Sequence, residues 1–308
     1  ATAADRSTWQ VRQLPQGVDQ HNEILTSQTS LSARLLTGTV AHDVVAGLEL
    51  LRESQRTDTL ALPSGTPNLY TSLYHPSPAQ PLIRPRHNGA YSDCQTDTLG
   101  VYVFDTVKLT DRVQLTAGVR ADRYDTQTDG VSAATSNNVT TLTPYSLSQR
   151  DTLISWKVGA VFKPVPAGSL YASHGTSSNP PGGSNFALSN TAGSINGASM
   201  QPSETRNSEI GIKWELLQRK LLLTAAAYRT EVENELTQLD PVTNTYSQLG
   251  RRQVQGLELS AVGKLSAAWD VNFGLATLDT KIKQGTTGNN SAGAATRWSP
   301  ELTATLWS

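Results

Sequence analysis

The chain has 308 residues, enough for two average domains or one large β domain, and its 25 Lys and Arg nearly balance 26 Asp and Glu, for a net charge of −1. That balance excludes a strong field for nucleic acid or an anionic surface, and the single cysteine, Cys94, excludes a disulfide scaffold or a cysteine-ligated metal cluster. Hydrophobic residues make up only 37%, lean for a packed soluble core, and no apolar run approaches the roughly 18 residues of a membrane-spanning helix.

Apolar and polar residues alternate almost everywhere, with turn signals between the segments. The alternation predicts about twelve strands, near 7–14, 27–37, 43–54, 97–108, 112–125, 152–163, 168–176, 204–216, 220–236, 247–264, 269–284 and 298–308. No segment has a convincing helical period. The chain opens "ATAADRSTWQVRQL", without an initiator Met or a leader-like stretch, and "RWSPELTATLWS" stops inside a strand. Both ends are expected to be cut, leaving one partial β domain over 1–308.

The connections alternate in length. "GTVAH" (38–42), "LTD" (109–111), "PVPAG" (164–168), "LQR" (217–219) and "LSAA" (265–268) are short, whereas 55–96, 126–151, 177–203, 237–246 and 285–297 are long. In an up-and-down chain this puts short turns at one end of the sheet and long loops at the other. Such asymmetry is expected of an outer-membrane barrel, and several strands exceed the ~9–11 residues needed to cross a bilayer.

The faces agree. One parity carries Val44, Ala46, Leu48 and Leu50, then Leu115, Ala117 and Val119, then Ile154, Trp156, Val158 and Phe162, then Leu257, Leu259 and Ala261. The other carries Glu49, Arg120, Asp122, Lys157, Glu209, Lys213 and Glu258 among many glycines, with Arg229 and Glu231 assigned there too. Trp156, Trp214, Tyr228, Tyr102 and Phe104 are placed on the apolar parity, where some would form interfacial girdles. The expected class is all-β: an antiparallel up-and-down transmembrane β-barrel, apolar side to lipid and charged side inward. A soluble β-sandwich with the apolar face inward gives the same alternation and stays open.

Catalytic signals are weak. His21, His42, His75, His87 and His174 never take the spacing of a zinc protease, and no phosphate loop follows a strand. "PPGGSN" and "GNNSAG" read as loop punctuation, and Asn138-Val139-Thr140 matches a glycosylation pattern by composition alone. No enzyme is expected.

"TDTLGVYVFDTVKLTDRVQLTAGVRADRYD" (96–125) resembles a strand pair of TonB-dependent outer-membrane receptors. "QPSETRNSEIGIKWELLQRKLLLTAAAYRTEVEN" (201–234) is similar to that family's P-S/E-x-S/T…E-x-G-x-K segment and following strand, and "RRQVQGLELSAVGKLSAAWDVNFGLATLD" (251–279) to its V-x-G-x-E strand and partner. "GTVAHDVVAGLELLRES" (38–54) fits an earlier hairpin. The match is nearest the catecholate-siderophore branch.

The resemblance implies a barrel of about 22 strands around an N-terminal plug. This chain would supply about twelve of them, without the plug, the TonB-contact segment or the closing strands. It implies a monomer in the outer membrane of a Gram-negative bacterium, surrounded by lipid and binding no nucleic acid. It implies ferric-siderophore uptake driven by TonB–ExbB–ExbD, with no cofactor beyond iron carried in the ligand. A receptor for haem, a vitamin or a saccharide, a passive channel and a soluble binding module are the alternatives. An anionic, aromatic ferric catecholate calls for arginine charge and stacking surfaces. Arg84, Arg86, His87 and Tyr91 in "LIRPRHNGAY", continued by Arg123 and Tyr124, form the expected ligand-binding set.

Overall fold

The computed structural model describes residues 8–15, 17–77, 83–137, 139–181, 187–191, 193–240, 245–285, 291–296 and 299–308, with the backbone alone at 236–240 and 245–246. The Asn138 acceptor pattern and the two glycine-rich loop stretches lie wholly or partly outside these residues. Among the described residues there is no α-helix, and thirteen strands follow one another.

Two of them stand apart: β1 (Gln10–Gln13) pairs with β4 (Leu69–Ser72) in a small ribbon. The other eleven make a single antiparallel sheet: β2 (Asp19–Thr37), β3 (Val40–Ala61), β5 (Arg86–Lys108), β6 (Val113–Ser136), β7 (Val139–Val165), β8 (Gly168–Asn179), β9 (Ser203–Leu216), β10 (Leu221–Asp240), β11 (Thr245–Ser266), β12 (Trp269–Gln284) and β13 (Leu302–Trp307). Each strand bonds to the one before and after it in this order, so the sheet is a strict up-and-down meander. Short turns recur at 38–39, 109–112, 166–167, 217–220 and 267–268, as the sequence predicts.

The far end differs from expectation. The stretch 126–151 is not a loop: β6 and β7 run on as one long hairpin, with Asn137 after β6 in the left-handed region at φ 48°. Strand β4, within 55–96, is likewise missed, and β10 and β11 extend through most of 237–246. In the β6–β7 extension the outward face carries Asp125, Gln127 and Asp129 before Val131 and Ala133, so the apolar rhythm that marks the other strands is broken there. Strands β5 to β7 therefore reach far past any apolar band.

Residues directly opposite in the ladders share a face, so the register sorts every side chain. The face with Leu50, Leu99, Val119, Ile154, Ile210 and Leu257 stays uncovered, with Ile154 at 63% and Leu257 at 57% exposure. All eleven strands lie in one sheet and, among the described residues, the only other sheet is the two-stranded β1–β4 ribbon, which excludes the sandwich. On this same face most strands turn from apolar to charged along their length. Leu115, Ala117, Val119 and Ala121 give way to Arg123, Asp125, Gln127 and Asp129 on β6, and Ala225 and Ala227 give way to Arg229 and Glu231 on β10. Arg229 and Glu231 thus belong to the apolar parity, beyond its oily part, and do not face inward.

Three aromatic assignments also reverse. Tyr102 lies opposite Gly47 and Arg120, Phe104 opposite Gly118, and Tyr228 opposite Glu209 and Gly256, all on the polar face. Each ring covers a glycine of a neighbouring strand. A Cβ built on Gly47 would sit 2.3 Å from Tyr102 Cζ, and one on Gly118 only 1.9 Å from Phe104 Cδ1. The glycines admit the rings, and the rings fill the gaps the glycines leave. Trp156 and Trp214 do stand on the apolar parity.

The connection between β8 and β9 folds back over the polar face. Leu188 N donates to Thr128 Oγ1 at 2.9 Å, and Gln149 Nε2 donates to the Met200 carbonyl at 2.7 Å. Beneath it Cys94, Thr96, Tyr124, Thr126 and Thr128 are buried, while the intervening Gln95, Arg123, Asp125 and Gln127 are exposed on the other side.

Two outcomes follow. A Cβ on Gly256 would lie 2.0 Å from the Thr277 carbonyl oxygen, a backbone atom that cannot swing aside. Gly256→Ala should lower stability by ~1–3 kcal/mol, read as a urea midpoint of detergent-folded protein, with no rescue by Tyr228→Ala; Gly118→Ala, whose obstacle is a side chain, should be rescued by Phe104→Leu. The Cys94 thiol, 1% exposed and pushed up in pKa mainly by burial, should react slowly with maleimide until residues 188–199 are deleted. Fast labelling of the native protein contradicts the packing of that connection.

Candidate functional site

The polar face is built around Arg120. Its guanidinium donates from Nε to Asp122 Oδ1 and Oδ2 at 2.9 and 2.8 Å, and from Nη1 to Glu49 Oε2 at 3.1 Å. The two carboxylates come from β3 and β6, and Gly100 of β5 stands between them in register. A Cβ there would meet Arg120 Nη2 at 2.5 Å, so the missing side chain makes room for the ion cluster. The same guanidinium lies 5.7 Å from the Tyr102 ring centre, and Tyr102 OH accepts from Gln28 Nε2 at 2.7 Å. Fork geometry, bidentate pairing and an aromatic wall favour arginine at this position over lysine.

A second group sits farther around the sheet. Tyr171 OH donates to Glu209 Oε1 at 2.5 Å, and Lys213 Nζ approaches the Tyr171 ring centre at 5.4 Å. Lys157, Gly159, Ser173 and Asn207 join them around a cavity of about 610 Å³. The wall is therefore charged and hydrogen-bonded, with Arg120 ion-paired to Glu49 and Asp122 and Glu209 bonded to the Tyr171 hydroxyl. No cluster of metal-ligating side chains is found among the described residues.

The expected ligand set is not gathered in one place. Arg84 and Arg86 lie at the long-connection end, exposed and without an ion pair among the described residues. His87 Nε2 contacts Asp19 Oδ2 at 2.8 Å. Tyr91 and Arg123 lie on the parity of the apolar face, with the Arg56 guanidinium 4.4 Å from the Tyr91 ring centre and held by Asp58 and Asp93. Tyr124 lies on the opposite, polar face, 2% exposed. Its hydroxyl finds no partner among the described residues, and burial, then the Asp151 carboxylate, push its pKa up to about 12.

Sequence reasoning missed the inner cover. Gln248 Oε1 accepts from Gln201 N at 2.7 Å while its Nε2 donates to the Gln201 carbonyl at 2.8 Å, and Asn234 Nδ2 donates to the Pro202 carbonyl at 3.1 Å. With Leu188 and Met200 these contacts tie both ends of the 187–202 segment to four strands. No local pattern marks glutamine or threonine for such a task.

Known proteins share this architecture. The family model described as TonB dependent receptor-like, beta-barrel, matches residues 2–308. The catecholate siderophore receptor Fiu of Escherichia coli K12 is 35% identical over 99% of this chain and 41% of its own length. The crystal structure of Fiu in its closed form superposes with a TM-score of 0.88 at 33% identity, covering 100% of this chain and 44% of that one. The siderophore receptor PiuA from Acinetobacter baumannii superposes at 0.78 with 24% identity, covering 94% of this chain and 44% of its own, a likeness of fold. This chain thus spans about two fifths of the length of the curated relatives it matches. The single-layer meander, its two chemically opposed faces and the match over nearly every residue lead to one conclusion: the chain belongs to the TonB-dependent receptor β-barrel family.

Proposed function

We propose that this chain is the barrel segment of a longer outer-membrane receptor that takes up ferric siderophores of the catecholate kind. The observation that carries the reading is the 35% identity to a catecholate siderophore receptor, sustained over 99% of the chain. The apolar face supports the setting. An exposed band of Leu, Ile and Val this wide is stable only against lipid or another protein, and its charges appear only beyond the stretch that hydrocarbon covers. A charge at the midplane of a barrel's lipid face costs ~2–4 kcal/mol. The setting is the outer membrane of a Gram-negative bacterium, and the barrel acts there as a monomer.

The two faces divide the work. At the long-connection end Arg84 and Arg86 hold unspent positive charge for an anionic ferric complex, with His87 and its Asp19 partner beside them. Below them the polar wall offers no strong trap for an anion, because Arg120 is already ion-paired with Glu49 and Asp122, and Glu209 accepts from the Tyr171 hydroxyl. A ligand released from the rim therefore moves along a hydrated surface. Release needs work, supplied through TonB–ExbB–ExbD acting on a plug held by the rest of the protein. Iron enters already chelated, and the reading calls for no protein-bound cofactor and no bond-breaking step.

Expression in a receptor-deleted strain should restore growth on at least one ferric catecholate in a panel of iron carriers, and only with TonB present. Rescue by haem or a vitamin alone moves the receptor to another cargo, and rescue without TonB makes it a passive channel. Arg84→Ala with Arg86→Ala should weaken binding of a ferric catecholate about tenfold or more at unchanged β content by circular dichroism, the loss of two charge-assisted contacts. Unchanged affinity removes these arginines from the site.

A further inference from the structure

The short-turn border of the sheet holds a feature that cargo uptake does not use. On β6 the ten residues 113–122 separate Arg123 from Arg112, and their outward row, Val113, Leu115, Ala117, Val119 and Ala121, carries no charge. On β3 the nine residues 43–51 likewise separate Arg52 from His42, whose Nδ1 meets Asp105 Oδ2 at 2.6 Å on the outward parity. Each stretch matches the ~9–11 residues that cross a bilayer. The oily band therefore runs down to the short turns themselves. Two uncommitted cations stand at its end. Lys163 N donates to the Arg112 carbonyl at 2.7 Å, which sets the β5–β6 and β7–β8 turns side by side. Neither the Arg112 guanidinium nor the Lys163 ammonium has a partner among the described residues. Lys108, Arg219 and Lys264, by contrast, are held by Asp43, Glu215 and Asp270. Just above the two cations the surface is oily: Val113 faces Phe162 in the register, and Phe162, Val165 and Leu109 are exposed. Trp214 closes the far side. A Cβ on Gly168 would lie 2.7 Å from Trp214 Cε3, so the ring covers that glycine, and its indole N–H has no partner among the described residues.

We infer that this corner binds one anionic phospholipid of the leaflet on the short-turn side. Its phosphate sits between Arg112 and Lys163, an ester carbonyl accepts from the Trp214 indole N–H, and its acyl chains lie on Val113, Phe162 and Val165. The chemistry of each part fits. Phosphate takes arginine's fork in two parallel hydrogen bonds, and lysine adds a point charge. Both side chains lay an aliphatic stem along oily surface and keep the charged end at headgroup level. Tryptophan suits the same level, with an apolar ring and one donor. The charge balance selects the headgroup. Asp111 is the only carboxylate on the two turns, so two cations against one anion leave a net positive corner. A headgroup of net negative charge answers it, whereas a zwitterionic ethanolamine headgroup brings its own cation and does not. The inference rests on the membrane setting proposed above.

The test uses the full-length receptor in detergent, given phosphatidylglycerol or phosphatidylethanolamine with the same acyl chains, with bound lipid counted by native mass spectrometry. The wild type should retain phosphatidylglycerol about tenfold more than phosphatidylethanolamine. Arg112→Gln with Lys163→Gln should bring the two lipids to equal retention, Arg112→Lys should keep most of the preference, and Arg150→Gln at the long-connection end should leave it intact. Heat-modifiable mobility on electrophoresis confirms that each variant is folded. A wild type that holds both lipids equally, or a folded double-glutamine variant that keeps the full preference, overturns the site while leaving the membrane setting standing. Displacement of bound phosphatidylglycerol by an equal concentration of glycerol 3-phosphate overturns the lipid and leaves a site for free phosphate. A receptor that stays monomeric without detergent and retains neither lipid overturns the site and the membrane setting together.

Discussion

The structure depends on one constraint: a backbone surrounded by hydrocarbon has no water to bond with, so every N–H and C=O must be answered by a neighbouring strand. Eleven strands meet this by pairing each with the next, from β2 to β13, without a crossover. Once the ladder is set, each residue has only two directions to point. Everything else in the molecule is a choice between those two sides, made residue by residue at a period of two.

That choice is not uniform along a strand. On β6 the outward positions run Leu115, Ala117, Val119 and Ala121 before turning to Arg123, Asp125, Gln127 and Asp129. The inward positions run Gly118, Arg120 and Asp122 and then Tyr124, Thr126 and Thr128, which the segment around Leu188 covers. One strand therefore passes through two environments and exchanges which of its sides is dry. Low down, the uncovered oily side meets lipid in the proposed setting and the charged side meets water. Higher up, the outward side is wet and the inward side is sealed by protein. The glycine and aromatic pairs belong to the lower part, where rings such as Tyr102 over Gly47 keep the wall continuous.

Much of this was legible in the residues. The alternation and the short turns at one end follow from local patterning, and the structure repeats them. What escaped depended on partners distant in the chain. Tyr102 and Phe104 look like girdle aromatics by type, and only the register with Gly47 and Gly118 reveals them as inward. The extension of β6 and β7 opens with Asp125, Gln127 and Asp129 on its outward side, so hydrophobic rhythm breaks before it. The burial of Thr128 is decided by Leu188, sixty residues later. One signal was present and went unused: Arg123 and Tyr124 are adjacent on a strand, and adjacent strand residues cannot serve the same side of a wall.

The outermost strands carry a consequence of their own. Strand β2, nineteen residues from Asp19 to Thr37, bonds to β3 on one flank and to no described strand on the other, and β13 ends the row in the same way. Such a border is a ready template for any extended peptide. Produced by itself, this polypeptide would be adhesive along both margins, recruiting like neighbours into stacked ribbons unless other segments or a chaperone occupied those flanks first.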